Sequence, residues 1–224
     1  MQFHEKFTFP THHEPKRKSF EWIVHQDKVL LRNEIKQLRK YGNEIKKQGL
    51  KKHKLCLVRN WFMVGLGLFT GLRVEEMVGL RIKDILINDI YASVVVRNGK
   101  GGKKRVVKIS DSFKHVCSKY LEIRKMFELS NDKEDHLLTS QKGRKLTRRA
   151  LQKQFKACLK QANLPSHYSI HCLRHTYATN LLKSSGNLKL VKNQLGHSSI
   201  RTTEVYIALI EEDTRKALNK LYKG

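Results

Sequence analysis

The chain has 224 residues, which is room for one sizeable domain with a buried core, or for one domain and an arm. Its 46 Lys and Arg residues against 20 Asp and Glu give a formal charge of +26, which indicates a polyanionic partner. The basic residues are spread along the chain, and the most apolar stretch, residues 61–69, is too short to cross a bilayer. Nucleic acid is therefore favoured over a membrane.

Residues 1–27 are expected to form an N-terminal basic arm. They contain two of the three prolines and a basic run at 16–18, which either contacts phosphates or is a solvated tail. The first residues lack the pattern of a secretory signal peptide. The sequence therefore predicts a cytoplasmic protein that associates with the nucleoid.

Two helices are predicted next, and the second is expected to lie at the centre of the core. Residues 29–41 carry an amphipathic stripe of Leu31, Ile35 and Leu38 at helical spacing. Residues 55–69 are apolar nearly all round, which is typical of a buried helix. Both helices precede the first motif that suggests chemistry.

That motif is Thr-Gly-Leu-Arg at residues 70–73. Gly71 can adopt the backbone conformation that ends a helix tightly. Arg73 then opens the next helix, where its side chain either faces solvent or binds an anion.

A small antiparallel sheet is predicted after this helix. Three runs rich in Val, Ile or Leu are typical of strands and lie at residues 85–87, 92–97 and 104–109. The last two are joined by Asn-Gly-Lys-Gly-Gly-Lys-Lys, a glycine-rich hairpin with Lys100, Lys103 and Lys104. The expected fold class is mainly α-helical with a small antiparallel β-sheet (α+β).

Two further helices are predicted on either side of a polar connector at residues 129–145. The first covers residues 112–127, and Thr147 can cap the second, which covers residues 148–162. One face of the second helix is basic and holds Arg148, Arg149, Lys153, Lys156 and Lys160.

The most informative stretch is residues 169–206. His171 and Arg174 are three residues apart and share a helix face, in a helix that Ser169 can cap and Gly186 can end. Another helix is predicted over residues 188–195. Gly196 ends it just before His197, and a short helix from Thr202 or Thr203 carries Tyr206.

One kind of chemistry suits the side chains of His171, Arg174, His197 and Tyr206. Tyrosine is a poor nucleophile at neutral pH because its free pKa is near ~10. It becomes effective where cations and hydrogen-bond donors stabilise the charge on an attacked phosphate. Arginine matches phosphate oxygens with a planar fork, and histidine can move a proton near neutral pH. The set therefore predicts phosphoryl transfer to the hydroxyl of Tyr206.

A metal site is not favoured by the same residues. His171 and His175 are four residues apart, but no Glu follows the first His and no third ligand is evident. The four cysteines form no C-x-x-C pair and are expected to pack in the core of a protein from a reducing compartment. They are Cys56, Cys117, Cys158 and Cys172.

Taken together, H-C-L-R-H-T-Y-A-T, then L-G-H-S-S and T-T-E-V-Y closely resemble the C-terminal motifs of the tyrosine recombinases, the phage-integrase and Xer-like family. The upstream T-G-L-R motif and the G-K-G hairpin match the same family. The resemblance covers roughly residues 29–206 and implies the family's catalytic-domain fold at residues 28–208, followed by a C-terminal helix or tail at 209–224.

The resemblance also implies a role for each residue. Arg73 and Arg174 would clamp the phosphate, His171 would act as acid or base on the tyrosine side, and His197 would hydrogen-bond the phosphate. Lys100 would protonate the leaving 5′ oxygen, with Lys103 and Lys104 as substitutes. Tyr206 would form a 3′-phosphotyrosyl bond. Glu76 would orient a neighbouring catalytic group.

The implied partners are double-stranded DNA, further copies in a tetramer on synapsed DNA, and an accessory DNA-binding protein. The basic helix with Arg148, Arg149 and Lys153 would enter a DNA groove. A basic helix face that is simply exposed to solvent fits the sequence equally well. No metal or other cofactor is implied. The C-terminal helix would dock on a neighbouring subunit or on its own domain.

One departure concerns recognition of DNA. Most relatives carry a separate helical DNA-binding domain ahead of the catalytic one, whereas about 27 residues precede it here, so independent site recognition is in doubt. Two alternatives to recombination are relaxation of supercoils, as in type IB topoisomerases, and DNA binding without catalysis. The complete set of six catalytic residues argues against the second.

Overall fold

The structure, a computed structural model, describes residues 26–88, 91–97, 99, 102, 104–197, 203, 206–207 and 210. In this part of the chain it is mainly α-helical with one small antiparallel sheet, which confirms the predicted fold class. The helices are α1 (Arg32–Lys51), α2 (Leu55–Thr70), α3 (Val74–Gly79), α4 (Asp111–Met126), α5 (Arg148–Gln161), α6 (His171–Ser185) and α7 (Leu188–Leu195). The strands are β1 (Ile85–Ile87), β2 (Ala92–Val96) and β3 (Arg105–Ile109).

Helix α2 lies at the centre of the core, as its apolar sequence predicts. It packs against α1, α4, α5, α6 and β3. Its contact with α6 is close because Gly67 faces Leu173, where an added Cβ would lie 2.5 Å from Leu173 Cδ1. This contact places the start of α6 beside the end of α2.

Helix α1 is longer than the sequence pattern predicts. It continues past residue 41 to Lys51, through Gly42 and Gly49. These glycines lie against α2, where added Cβ atoms would come within 3.4 Å of Trp61 and 2.8 Å of Val58. Close packing of the two helices therefore outweighs the low helix propensity of glycine.

The three strands are arranged in the order β1-β2-β3, and both neighbouring pairs are antiparallel. Val94 pairs with Ile85 on one side and with Val107 on the other, and all three side chains are buried. The sheet therefore buries one face and brings Arg105, the first residue of β3, towards the helices.

The connector at residues 129–145 is predicted to be polar, but the structure shows that part of it is buried. Leu137 and Leu138 are fully buried, and two buried arginines bind the backbone around them. Arg124 donates to the carbonyl oxygen of Leu137 at 3.0 Å, and Arg59 donates to that of Thr139 at 2.8 Å. The two leucines and these two arginines together anchor the segment to the core despite its charged surroundings.

The predicted helix ends are mostly confirmed. Thr147 caps α5, and its hydroxyl accepts a hydrogen bond from the Ala150 amide at 3.1 Å. Gly71, Gly186 and Gly196 have positive φ and end α2, α6 and α7. The prediction that Ser169 caps α6 is wrong. The residue before the helix is Ile170, and the chain already turns there with the Cys172 amide donating to the Ser169 carbonyl.

The chain enters α1 through residues 26–31, here called the N-terminal strap, which crosses α6 and the segment ahead of it. The buried Leu30 amide donates to Thr176 Oγ1 at 2.9 Å. His167 Nε2 lies 3.0 Å from the Asp27 carbonyl oxygen, and just beyond the strap the Tyr168 hydroxyl donates to Glu34, in the first turn of α1, at 2.8 Å. The strap is therefore fastened next to the histidines of α6.

Three of the four cysteines are buried as predicted, whereas Cys56 is exposed on α2. Among the helices of the described residues, none is both long enough and apolar enough to span a bilayer. The predicted arm and C-terminal tail lie outside the described residues apart from 26–27 and 210, so the domain boundaries stay predictions.

Candidate active site

Arg73 stands at the turn between α2 and α3, just after Gly71. Its backbone amide donates to Glu76 Oε2 at 2.8 Å, and its Nη1 donates to Glu76 Oε1 at 3.0 Å. The Arg73 side chain is 25% exposed and the Glu76 side chain only 2%. Glu76 therefore holds a guanidinium that remains accessible from outside.

Arg174 is the buried counterpart of Arg73. It projects from α6, and its two Nη atoms donate to the carbonyl oxygens of Gly71 at 2.6 Å and Leu195 at 2.9 Å. These carbonyls end α2 and α7, so Arg174 joins three elements at one point. Burial, followed by the nearby charge of Arg73, lowers the pKa of Arg174 to about 9, which leaves the guanidinium charged at neutral pH.

Tyr206 is almost completely buried, with 2% of its surface exposed. Its ring packs with Ala178, Leu182, Val191 and Leu195 of α6 and α7. Burial raises the pKa of the Tyr206 hydroxyl, and the charges of Arg174 and Arg73 oppose this only in part. The phenol is therefore protonated at neutral pH.

The partner of the Tyr206 hydroxyl is His175, whose Nδ1 lies 3.1 Å away. Burial lowers the pKa of His175 to about 4, with further lowering by His171 and Arg174. The imidazole is therefore neutral at neutral pH, and in the tautomer protonated at Nε2 its Nδ1 accepts the phenol proton in a hydrogen bond. From the sequence alone, His175 stands out only as a possible metal ligand, with His171. The available signal was its position one helical turn after His171.

His171 lies one turn earlier on α6 and is exposed. Partial desolvation of the imidazole by its neighbours, followed by the charges of Arg174 and Arg73, still lowers its pKa. The structure thus places His171 near the two guanidiniums, and places His175 at the tyrosine.

His197 follows the end of α7, as predicted. Its Nδ1 lies 3.0 Å from the hydroxyl of Thr203, which is fully buried. Burial and then the charges of Arg174, Arg73 and Arg105 lower the pKa of His197 to about 3. His197 is therefore a neutral group that connects the end of α7 to the segment that carries Tyr206.

A third arginine, Arg105, was not predicted. Its Nη1 and Nη2 donate to the two carboxylate oxygens of Glu76 at 2.7 and 2.8 Å. Burial alone raises the pKa of Glu76, but hydrogen bonds and charge from Arg105, with Arg73 and Arg174, outweigh it and lower that pKa. No local spacing marks this pair, since 29 residues separate its members.

Of the three predicted hairpin lysines, one lies among the residues that the structure describes. Lys100 and Lys103 lie outside the described residues, and Lys104 is exposed directly ahead of Arg105.

On α5, Arg149 and Lys153 are exposed, while Arg148 pairs with Glu75 at 2.6 Å. Among the described residues, no three His, Cys, Asp or Glu side chains come together as a metal site would require.

The sequence profile of the phage integrase family matches residues 28–212. Tyrosine recombinase XerD of Oceanobacillus iheyensis is 37% identical over 168 residues, which are 75% of this chain and 54% of that protein. Tyrosine recombinase XerC of Psychromonas ingrahamii is 37% identical over 153 residues, 68% of this chain and 49% of that protein. The chain thus spans about half the length of these curated relatives.

Solved structures agree with the sequence matches. The XerA recombinase superposes with a TM-score of 0.66 at 25% identity, over 84% of this chain and 65% of that one. The XerH site-specific recombinase, in a pre-cleavage complex with its difH substrate, superposes with a TM-score of 0.64 at 27% identity, over 80% of this chain and 50% of that one. With its motifs, fold and matched residues in agreement, the chain belongs to the phage integrase family.

Proposed function

We propose that this chain is the catalytic part of a site-specific recombinase that cleaves and rejoins double-stranded DNA. The observation that carries the proposal is the Tyr206 hydroxyl, hydrogen-bonded to a neutral His175 beside the charges of Arg174 and Arg73. The relatives named above as tyrosine recombinases support the same reaction.

In the proposed reaction, the Tyr206 oxygen attacks a backbone phosphorus and forms a 3′-phosphotyrosyl bond, while the bond to the 5′ oxygen breaks. Arg73 and Arg174 bind the non-bridging oxygens, and loss of such a donor typically costs about 3 kcal/mol of barrier. The 5′ oxygen takes its proton from Lys100. A 5′ hydroxyl of a partner strand then attacks the phosphotyrosyl bond, which conserves the phosphodiester energy.

The proton of Tyr206 leaves through a histidine, and the geometry favours His175 over His171. His175 Nδ1 lies 3.1 Å from the Tyr206 hydroxyl, whereas the charges of Arg174 and Arg73 act on His171, which we therefore assign to the phosphate. His197 serves as a neutral hydrogen-bonding group for the phosphate. Because Tyr206 is 2% exposed, its segment has to shift towards the DNA before attack.

The proposed partners follow from the charge of the chain and from the proposed reaction. The formal charge of +26 favours duplex DNA, with exposed Arg149, Lys153 and Lys104 as phosphate contacts. Exchange of strands between two sites requires several copies, and we propose a homotetramer on synapsed DNA. An accessory DNA-binding protein would supplement site recognition.

Relaxation of supercoils without strand exchange uses the same cleavage step and is the second candidate. No feature in the described part of the site favours it, and the named relatives are recombinases. DNA binding without catalysis is disfavoured by the assembly of Arg73, Arg174, His197 and Tyr206 around one point.

The test is covalent capture of DNA. The protein is incubated with nicked duplexes from its own genomic neighbourhood, and denaturant-resistant adducts are counted. The wild type should form an adduct, and Tyr206→Phe should lose it while binding DNA with nearly unchanged affinity. Equal loss of adduct and of binding in Tyr206→Phe would contradict the assignment of the nucleophile.

A further inference from the structure

Arg105 connects three segments that each carry a residue of the candidate active site. It begins β3, at the end of the hairpin that contains Lys100. Its two Nη atoms bind Glu76 on α3, and its Nε donates to the carbonyl oxygen of Gln194 in the last turn of α7 at 3.1 Å. The Arg105 side chain is 10% exposed, so these contacts are largely shielded from water.

The end of α7 is shaped to receive this side chain. Gly196 has a φ of +67°, and a Cβ added there would lie 2.6 Å from Arg105 Cδ and 2.9 Å from Nε. Arg105 therefore occupies the space that any other residue at position 196 would fill. His197 follows immediately, so the position of this guanidinium affects where that histidine stands.

Glu76 is shared between two arginines. Its Oε1 accepts from Arg105 Nη1 at 2.7 Å and from Arg73 Nη1 at 3.0 Å, while Oε2 accepts from Arg105 Nη2 and from the Arg73 amide. The parallel pair of bonds to Arg105 fixes the plane of the carboxylate. Arg73 makes one longer side-chain bond to it, so Arg73 can be released to a phosphate while Glu76 stays in place.

We propose that Arg105 is a positioning residue, which holds Glu76 in place so that Arg73 is presented to the DNA phosphate and ties the start of β3 to α3 and α7. This inference rests on the proposed function, because its purpose is the binding of a phosphate at Arg73. Arg105 itself touches no reacting atom. A lysine in its place would keep the charge but lose the parallel bonds to Glu76.

The experiment compares Arg105→Met, Arg105→Lys and Glu76→Gln in single-turnover cleavage of nicked duplexes. The matched control is Arg97→Met, since Arg97 also lies at a strand end and pairs with a buried carboxylate, Asp84, at 2.5 Å. Arg105→Met should slow cleavage about 100-fold through misplacement of Arg73, with DNA affinity little changed. Arg105→Lys should recover little of this rate, and Arg97→Met should cleave as the wild type does.

Two further readouts separate positioning from a general loss of structure. The double variant Arg105→Met with Glu76→Gln should be no slower than the slower single variant, because both changes break one unit. In Arg105→Met the acid limb of the pH–rate profile should move to higher pH, because burial then raises the pKa of Glu76 without its main opposing partner. Additive losses with an unmoved acid limb would overturn the inference.

If the wild type forms no adduct, the proposed function fails, and unfolding by urea still tests the link between Arg105 and Glu76. Glu76 has a lowered pKa in the folded protein, so its stabilisation is present above its unfolded pKa and is lost as pH falls. Arg105→Met should therefore destabilise the protein less at acid pH than at neutral pH. This difference should vanish when Arg105→Met is introduced into a protein that already carries Glu76→Gln. An equal destabilisation at both pH values would overturn the inference.

Discussion

The two arginines proposed to bind the phosphate are held in different ways. Arg174 is buried and donates to two carbonyl oxygens that end α2 and α7, so its place is set before DNA arrives. Arg73 is partly exposed and is held by a carboxylate, a partner that a phosphate can replace. One guanidinium therefore builds the site, and the other is available to exchange partners.

Replacement of single histidines tests which of them receives the Tyr206 proton. His175→Ala removes the hydrogen-bond acceptor at 3.1 Å, and the rate of adduct formation on nicked duplexes should fall by roughly 100-fold or more. His171→Ala should mainly affect the binding of the phosphate, so its rate of adduct formation should fall less than that of His175→Ala. The control is His115→Ala, an exposed histidine on α4.

If His171→Ala lowers the rate of adduct formation more than His175→Ala does, His171 and not His175 receives the proton. Urea unfolding of each variant shows whether a lower rate reflects lost structure, since His175 is partly buried and His115 is not. A slow but stable His175→Ala protein with normal DNA affinity is the expected result.

At the scale of helices, the close approach of α2 and α6 at Gly67 controls how the site is assembled. Gly67→Ala places a Cβ 2.5 Å from Leu173 Cδ1, and we expect a loss of about 1–3 kcal/mol in the free energy of unfolding. Gly79→Ala is the matched control, because nothing lies within 4 Å of its added Cβ. It should be neutral or slightly stabilising in the same urea unfolding experiment.

If Gly67→Ala and Gly79→Ala unfold alike, the α2–α6 contact is looser than described. Cleavage by Gly67→Ala gives a second measurement, since a shift of α6 moves Arg174 and His175 together. We expect its rate to fall even at temperatures where the protein remains folded.

Much of the fold could be predicted because its signals are local. The apolar run of α2, the cap at Thr147 and the glycines that end α6 and α7 all act within a few residues of their own position. The extension of α1 could not be predicted, since Gly42 and Gly49 are helix breakers in isolation. They become suitable only when α2 packs against them.

The same distinction applies to the candidate site. The spacing of His171, Arg174, His197 and Tyr206 could be found because all four lie within residues 171–206, in three short motifs of the sequence. Arg105 was missed because its partner lies 29 residues away on another element. His175 was missed because its link to Tyr206 spans 31 residues and depends on how α6 and the tyrosine segment pack.

At the scale of the whole molecule, the charge of +26 predicts DNA binding that weakens steeply with salt. Arg149→Ala on α5 should weaken binding to all sequences about equally and reduce the slope of log affinity against log salt by about 1. Lys119→Ala is the control, because this exposed lysine of α4 already pairs with Glu122 at 2.9 Å. Fluorescence anisotropy over a salt series measures both slopes. An unchanged slope in Arg149→Ala would make the basic face of α5 a solvated surface.

The N-terminal strap restricts where a fusion partner can be attached ahead of α1. The Leu30 amide is fastened to Thr176, the immediate neighbour of His175, and the Asp27 carbonyl lies against His167. A rigid fusion partner placed directly ahead of residue 26 would pull on α6 beside the histidine that contacts Tyr206. Affinity handles and fluorescent labels therefore belong behind a long flexible spacer, and a low activity measured without one would reflect the handle as much as the enzyme.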